Sequence, residues 1–248
     1  MSVFDDLFNF AAQNASRKLI RAVENNDLFA VRELLKQGAN INKTNGEGCT
    51  ALMLATRYGY TEIAEFLIAS GASVHKTNNV GDTALILAAR SRRNGLTQSL
   101  LASGALPDHA NDRDETALIT AVQSGDIKTV TILLGKSKDI DKKDKFKDSA
   151  LNIAARRGFT AIAALLIEKG ANIDQPDGSG NPPLETARRN NKPEIVTLLQ
   201  NVIKKRQQEQ QRIATEEKIR LQRETVHAKQ AELKKLIRRK PPNAGPAA

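Results

Sequence analysis

The chain has 248 residues, of which 40% are apolar, and this share is large enough to build a core and excludes wholesale disorder. Aromatic residues amount to only 4% and Trp is absent, so the core must be aliphatic, which favours closely packed helices over a β-sandwich. The single cysteine, Cys49, excludes an internal disulfide framework and a cysteine-rich zinc site, and no apolar run approaches the ~18 residues that a membrane span needs.

The net charge of +10 is unevenly distributed along the chain. Residues 204–240 contain thirteen Lys or Arg but only five Glu, whereas the rest of the chain is close to neutral. This distribution predicts a near-neutral body that is followed by a basic tail.

The first predicted element is a short helix at residues 1–15. Its apolar residues fall on one helical face: Val3, Phe4, Leu7, Phe8 and Ala11. We expect this helix to cap the open end of the fold, although the same face would also suit docking to a partner. Two aspartates interrupt the apolar start and no basic leader precedes it, so we expect a cytoplasmic protein, unless a non-classical route exports it.

A unit of 33 residues recurs six times between residues 16 and 203. A polar Arg17 marks the first repeat, and later repeats are marked by Thr, Ser or Pro: Thr50, Thr83, Thr116, Ser149 and Pro182. An aliphatic pair such as Leu67 and Ile68, and a Gly-Ala step such as Gly71 and Ala72, keep the same spacing in most repeats. Three markers in register indicate a repeat architecture.

Each marker has a physical role. The Thr or Ser can cap a first helix by accepting a backbone N–H from its first turn. The Ala and Leu that follow lie on one face at helical spacing, and the aliphatic pair lies in a second helix that the Gly ends. Neither helix reaches the ~12–15 residues at which an isolated helix is marginal in water, so stability must come from stacking repeats into a solenoid.

The 33-residue unit of turn, helix and helix resembles the ankyrin repeat over residues 16–203. The resemblance implies an all-α solenoid of helix-turn-helix units with short inter-repeat turns. Apolar Met53, Ile86 and Ile119 stand where the family has His, so apolar packing is expected to replace its hydrogen bonds.

Two repeats depart from the pattern in their turns. Repeat four has Ser137 and Lys138 where Gly-Ala is expected, so we expect its second helix to end differently. Repeat three has Arg92 where repeats two, four and five have Gly, so we expect an irregular loop between its helices.

After residue 203 the repeat pattern stops. Residues 204–240 lack Gly and Pro and are rich in helix-forming residues, which predicts a long, charged, basic helix. Ile219, Val226 and Leu233 are spaced by seven, but the positions between them are too polar to predict a coiled coil. A Pro pair ends the helix, and residues 241–248 are expected to be a disordered tail.

No residue constellation predicts catalysis, a cofactor or a metal. His75 and His109 fall in inter-repeat turns, and no His, Cys and Asp set has metal-ligand spacing. Cys49 has no evident charged partner that would activate it. We therefore predict that the chain is not an enzyme and takes no small-molecule substrate.

The resemblance places a partner across the turn tips and first helices, the concave side of the stack. The positions that should face it carry the following candidate residues: Arg57, Tyr58, Val80, Asp82, Arg90, Arg113, Glu115, Phe146, Asp148, Arg156, Arg157 and Arg189. Arg and Tyr dominate binding hot spots, but an arginine at the end of a first helix also suits the helix dipole. We expect Arg90, Arg156 and Phe146 to be exposed, so that their replacement leaves stability unchanged.

These observations predict a monomeric, non-enzymatic scaffold or adaptor that binds a protein partner of acidic or mixed charge. A narrower hypothesis is an effector that a host-associated bacterium exports and that acts on a host protein by the same binding mode. A rival hypothesis from another class is association of residues 204–240 with nucleic acid or an anionic membrane, although no aromatic residue follows Phe159 to stack on bases.

Overall fold

The computed structural model describes the backbone of residues 3–239 and the side chains of residues 14–235. In this part of the chain all the regular elements are helices, and they fall at these bounds: α1 Val3–Glu24, α2 Leu28–Lys36, α3 Ala51–Tyr58, α4 Thr61–Ala69, α5 Ala84–Arg90, α6 Asn94–Ala102, α7 Ala117–Ser124, α8 Ile127–Leu134, α9 Ala150–Arg157, α10 Thr160–Glu168, α11 Pro183–Arg189 and α12 Pro193–Arg239. The predicted all-α fold, with paired helices followed by a long C-terminal helix, is confirmed.

The repeat marker starts the first helix of repeats two to five by the predicted capping geometry. Thr50, Thr83, Thr116 and Ser149 have extended backbones, and their hydroxyls accept the N–H three residues on at 3.2–3.3 Å. This bond satisfies a donor that the first turn of a helix leaves free. In repeat six Pro182 makes no such side-chain bond. That helix begins instead with Pro183, whose fixed φ suits a first helical position.

The stack is built in two layers. The first helices α3, α5, α7, α9 and α11 pack in sequence against one another, and the second helices α2, α4, α6, α8 and α10 form a parallel layer beside them. Leucines such as Leu52, Leu85 and Leu100 are fully buried between these layers. Met53, Ile86 and Ile119 are also fully buried, in agreement with apolar packing at the position of the family's histidine.

The loop within repeat three is regular, contrary to our expectation. Arg92 takes the left-handed conformation, with φ of 56°, that Gly59, Gly125 and Gly158 take in their repeats. The next N–H then returns to the first helix, from Arg93 to the carbonyl of Ala88 at 2.9 Å. The same turn is therefore made with a side chain that disfavours it.

The second helix of repeat four ends differently, as expected. It ends at Leu134, one residue earlier than the equivalent helices α4 and α6, and Ser137 does not take the positive φ that Gly71 and Gly104 take at the same position. The N–H groups of Lys136 and Ser137 then both bond to the carbonyl of Leu133.

The chain divides into two compact units, residues 1–199 and 200–248. In the first unit, α1 runs unbroken across the predicted boundary at residue 15. The predicted capping face, Val3 to Ala11, lies outside the residues whose side chains are described, and so does the tail at 241–248. In the second unit, every side chain from residue 204 to 235 is exposed. No helix in the described part of the chain is long and apolar enough to cross a membrane.

Candidate partner-binding surface

Each inter-repeat turn is folded by one Asn or Asp side chain. Its Oδ1 atom accepts the backbone N–H groups two and four residues on, at 2.9–3.1 Å, and the five equivalent residues are Asn45, Asn78, Asn111, Asp144 and Asp177. This arrangement replaces backbone partners that a tight turn cannot supply. An Asn or Asp recurs here every 33 positions, a sequence signal for this turn that the three repeat markers did not include.

The five turns project one residue each, and these form a tip row: Glu47, Val80, Arg113, Phe146 and Ser179. Neighbouring turns are joined by backbone hydrogen bonds, from Asn79 to the carbonyl of Glu47 at 3.0 Å, from Asp112 to Val80 at 3.2 Å and from Lys145 to Arg113 at 2.8 Å. A Cβ atom on Gly178 would collide with the carbonyl oxygen of Phe146, so only glycine fits beside that tip. The tip row is therefore held by the backbone.

Arg90 and Arg156 bind carboxylates of their own chain. Arg156 donates to both oxygens of Asp148, each at 2.6 Å, and Arg90 donates to both oxygens of Asp82. Each carboxylate is buried. The hydrogen bonds to the carboxylate raise the pKa of each arginine, and they outweigh the lowering that burial of the arginine itself causes. The arginines are exposed as predicted, but their replacement would remove the cation from a buried carboxylate, so we now expect it to lower stability.

A network of hydrogen-bonded polar side chains joins repeat three to repeat four. The side-chain amide of Asn111 donates to Asp82 at 2.8 Å and to Glu115 at 3.1 Å, and Gln123 donates to Glu115 at 3.0 Å. Asp82, Glu115 and Asp148, which we predicted to face a partner, are all buried and offer little surface to one. Their carboxylates hold the turns against the first helices instead.

The remaining candidate residues differ in how exposed they are and in whether they form an ion pair within the chain. Arg57 is half-buried and bonds to Glu47 at 3.0 Å, while Arg189 is exposed and bonds to Glu185 at 3.3 Å. Tyr58 is exposed and lies beside Tyr60 with ring centroids 5.6 Å apart. Arg113 and Arg157 are exposed and make no ion pair with any described residue.

Two clefts open along the tip row. The first, of about 500 Å³, is lined by Val80, Leu87 and Arg90 among others. The second, of about 440 Å³, is lined by Phe146, Ile153 and Arg156. Val80 is 52% exposed and Phe146 is 70% exposed, so apolar side chains stand at the mouth of each cleft without a core to support.

Comparison with known families agrees with this architecture. The sequence profile for ankyrin repeats matches three times, over residues 19–114, 75–144 and 118–209. The chain belongs to the ankyrin-repeat family. Ankyrin repeats are generally protein–protein interaction modules and are typically non-enzymatic. A search of the curated proteins found no match.

Within this ankyrin stack Cys49 has a charged neighbour that the sequence did not reveal. The Sγ atom is fully buried and accepts from Nη2 of Arg57 at 3.1 Å. Burial nevertheless raises the pKa of the thiol, because the effect outweighs the lowering by Arg57 and Asn78. Cys49 therefore stays protonated and is a poor nucleophile.

Two equivalent aspartates of the ankyrin turns differ in their acidity. Burial raises the pKa of Asp144, and the nearby Asp148 carboxylate adds to that effect. Burial also acts on Asp177, but hydrogen bonds from the Asn181 and Ser179 backbones and from the Thr186 hydroxyl outweigh it and lower its pKa. A negative charge at this turn position is therefore disfavoured in the folded state at Asp144 of repeat five and favoured at Asp177 of repeat six.

Proposed function

We propose that this ankyrin stack is a scaffold or adaptor that binds a protein partner across the tip row and the adjoining first helices. The observation that carries the proposal is the exposure of Val80 and Phe146 on turns whose backbone is fixed by hydrogen bonds. A partner that covers these side chains removes apolar area from water, which is the main driving force of association. Because the turns are already ordered, little conformational entropy is lost on binding.

The charges around Phe146 support a partner of acidic or mixed charge. Lys145, Lys147 and Arg157 are exposed beside it and make no ion pair with any described residue. Their positive charges are thus available to pair with acidic residues of a partner, which increases specificity and the rate of encounter. The proposal includes a monomeric protein that acts in the cytoplasm. Binding of a host protein by an exported bacterial effector would use the same surface.

Affinity capture with matched variants tests the proposal. The full chain, V80S/F146S and F29S/L106S serve as baits in nuclease-treated lysate of the cells that make the protein. Phe29 and Leu106 are 76% and 61% exposed and line neither cleft, so the control loses similar apolar area elsewhere. We expect a captured protein that falls about tenfold or more with V80S/F146S and persists with F29S/L106S, as for hot-spot residues. Equal capture by all three baits would contradict the proposal.

The rival function, polyanion binding by the C-terminal helix, is favoured by one observation. The side chains of residues 204–235 are exposed, and ten of them are Lys or Arg while five are Glu. Arg212 and Arg220 are partly neutralised, because they pair with Glu209 and Glu224 at 2.7 and 3.0 Å. If this helix binds RNA or anionic vesicles, a chain truncated after Lys205 should lose binding that falls steeply between about 50 and 200 mM salt.

A further inference from the structure

Three of the residues that line each cleft occupy equivalent positions two repeats apart, while Glu47 of repeat two also lines the Val80 cleft and Ser179 of repeat six also lines the Phe146 cleft. Val80 corresponds to Phe146, Leu87 to Ile153 and Arg90 to Arg156, each pair separated by the same number of residues. In each cleft an exposed apolar tip stands over an aliphatic floor, and an arginine held by a buried aspartate forms one wall. Repeats three and five therefore offer the same apolar tip and aliphatic floor twice, and the Phe146 cleft is the more polar of the two because Asp144, Arg157 and Ser179 also line it.

Repeat four, between them, is polar at the same three positions. Its tip residue is Arg113, its floor residue is Thr120 and its wall residue is Gln123. Arg113 also stands between two exposed aspartates, Asp112 and Asp114. At the tip and floor positions the side chains are therefore apolar in repeat three, polar in repeat four and apolar in repeat five, while the wall residue is polar in all three repeats.

The spacing of the clefts limits what can fill both. Packed helices lie about 8–10 Å apart, so clefts two repeats apart are separated by about 16–20 Å. A polyproline II segment rises about 3.1 Å per residue and turns every three residues, so six residues span about 19 Å and return the side chain to the same face. Six residues in a β-strand span about 20 Å and also return to the same face.

A charge difference distinguishes the two clefts. Arg157 lines the Phe146 cleft, Lys145 and Lys147 are the exposed neighbours of Phe146 in the chain, and none of the three has an ion-pair partner among the described residues. At the Val80 cleft, Arg57 and Arg90 are paired with Glu47 and Asp82. Acidic residues of a ligand are therefore favoured beside Phe146 and not beside Val80.

We infer that one extended partner segment fills both clefts, with two apolar side chains about six residues apart and acidic residues next to the one that contacts Phe146. This inference rests on the proposed function and specifies its ligand. A polyproline II segment directs one residue in three toward the stack, which matches one position per repeat and places the residue midway between the two anchors opposite Arg113.

The test uses a library of random 16-residue peptides displayed on phage. It is selected on the full chain and counter-selected on V80S/F146S, which retains the fold because both side chains are exposed. We expect enriched peptides to carry two apolar residues six apart, with Asp or Glu on the side of one of them. V80S and F146S should each weaken a synthetic copy by about tenfold or more.

A mutant cycle assigns each anchor to its cleft. Replacing the peptide residue that occupies the Phe146 cleft should abolish the effect of F146S and leave the effect of V80S unchanged. Selected peptides with a single apolar anchor would overturn the inference, and so would peptides whose anchors lie about eleven residues apart, as in a helix. Peptides that bind V80S and F146S as tightly as the unchanged protein, or a selection that enriches no peptide, would also overturn it. If one of these outcomes is found and V80S/F146S nevertheless fails to capture the protein that the unchanged chain captures from lysate, the proposed function stands and the extended two-cleft ligand is rejected.

Discussion

The repeat stack and the C-terminal helix are both helical, but they depend on different forces. The helices from α2 to α11 have only seven to nine residues each, and each buries apolar residues against its neighbours. Helix α12 has 47 residues, and from residue 204 to 235 every side chain is exposed. Short helices here require stacking, whereas the long one is supported by helix propensity and by ion pairs along its surface.

The largest expected difference concerns leucines of the two regions. Leu85 is fully buried between layers, so Leu85→Ala should lower the free energy of unfolding by about 2–5 kcal/mol. Leu221 is 63% exposed in α12, and Leu221→Ala should change it by less than about 0.5 kcal/mol. Urea denaturation followed by circular dichroism measures both. Equal effects would refute the assignment of stability to stacking.

A smaller effect separates two adjacent arginines of repeat five. Arg156→Ala leaves the buried carboxylate of Asp148 without its bidentate partner, and because Arg156 is itself half exposed we expect a loss of about 1–2 kcal/mol. Arg157→Ala removes an exposed charge that has no described ion pair and should cost less than about 0.5 kcal/mol. Similar losses for the two variants would mean that Arg156 is not structural.

The two turn aspartates should respond with opposite sign. An amide at position 144 can donate to neighbouring carboxylates as Asn111 does, so Asp144→Asn should stabilise the fold by about 1 kcal/mol. Asp177→Asn should destabilise it by about 1 kcal/mol, because the Asp177 carboxylate accepts from Thr186 and faces Arg156.

The pH dependence of these two variants follows from the direction of each pKa shift. The pKa of Asp144 is raised, so the folded state binds its proton more tightly and the cost of the charge is relieved as the pH falls through the folded pKa. The gain from Asp144→Asn should therefore be full near pH 7 and shrink in acid. The pKa of Asp177 is lowered, so its contribution is present above the unfolded pKa and lost as the pH falls through the folded pKa. Thermal melts across pH 3–7 check both trends.

The smallest expected effect is that of removing most of the long helix. A chain truncated after Lys205 loses side chains that are all exposed as far as residue 235, so the melting temperature of the stack should not change measurably. A truncated chain that fails to fold would refute the division of the chain at that point.

The 33-residue register was sufficient to predict the capping residues, the buried leucines and the exposure of Val80 and Phe146. It was not sufficient to predict where Asp82 and Asp148 point, because their arginines lie eight residues along the chain and are reached only when the turn folds back on the helix. Arg92 is a second residue whose conformation the residue type alone did not predict. A residue that disfavours a left-handed turn adopts it when the repeats on either side fix the path of the chain.

Site-specific photo-crosslinking compares the two regions as binding surfaces most directly. A photoreactive phenylalanine analogue is placed in the full chain in place of Phe146 and, separately, in place of Leu221, which is similarly exposed in the C-terminal helix. After irradiation in the cells that make the protein, we expect a discrete protein adduct from position 146 and none from position 221. An adduct from position 221 with none from position 146 would contradict a binding surface on the tip row.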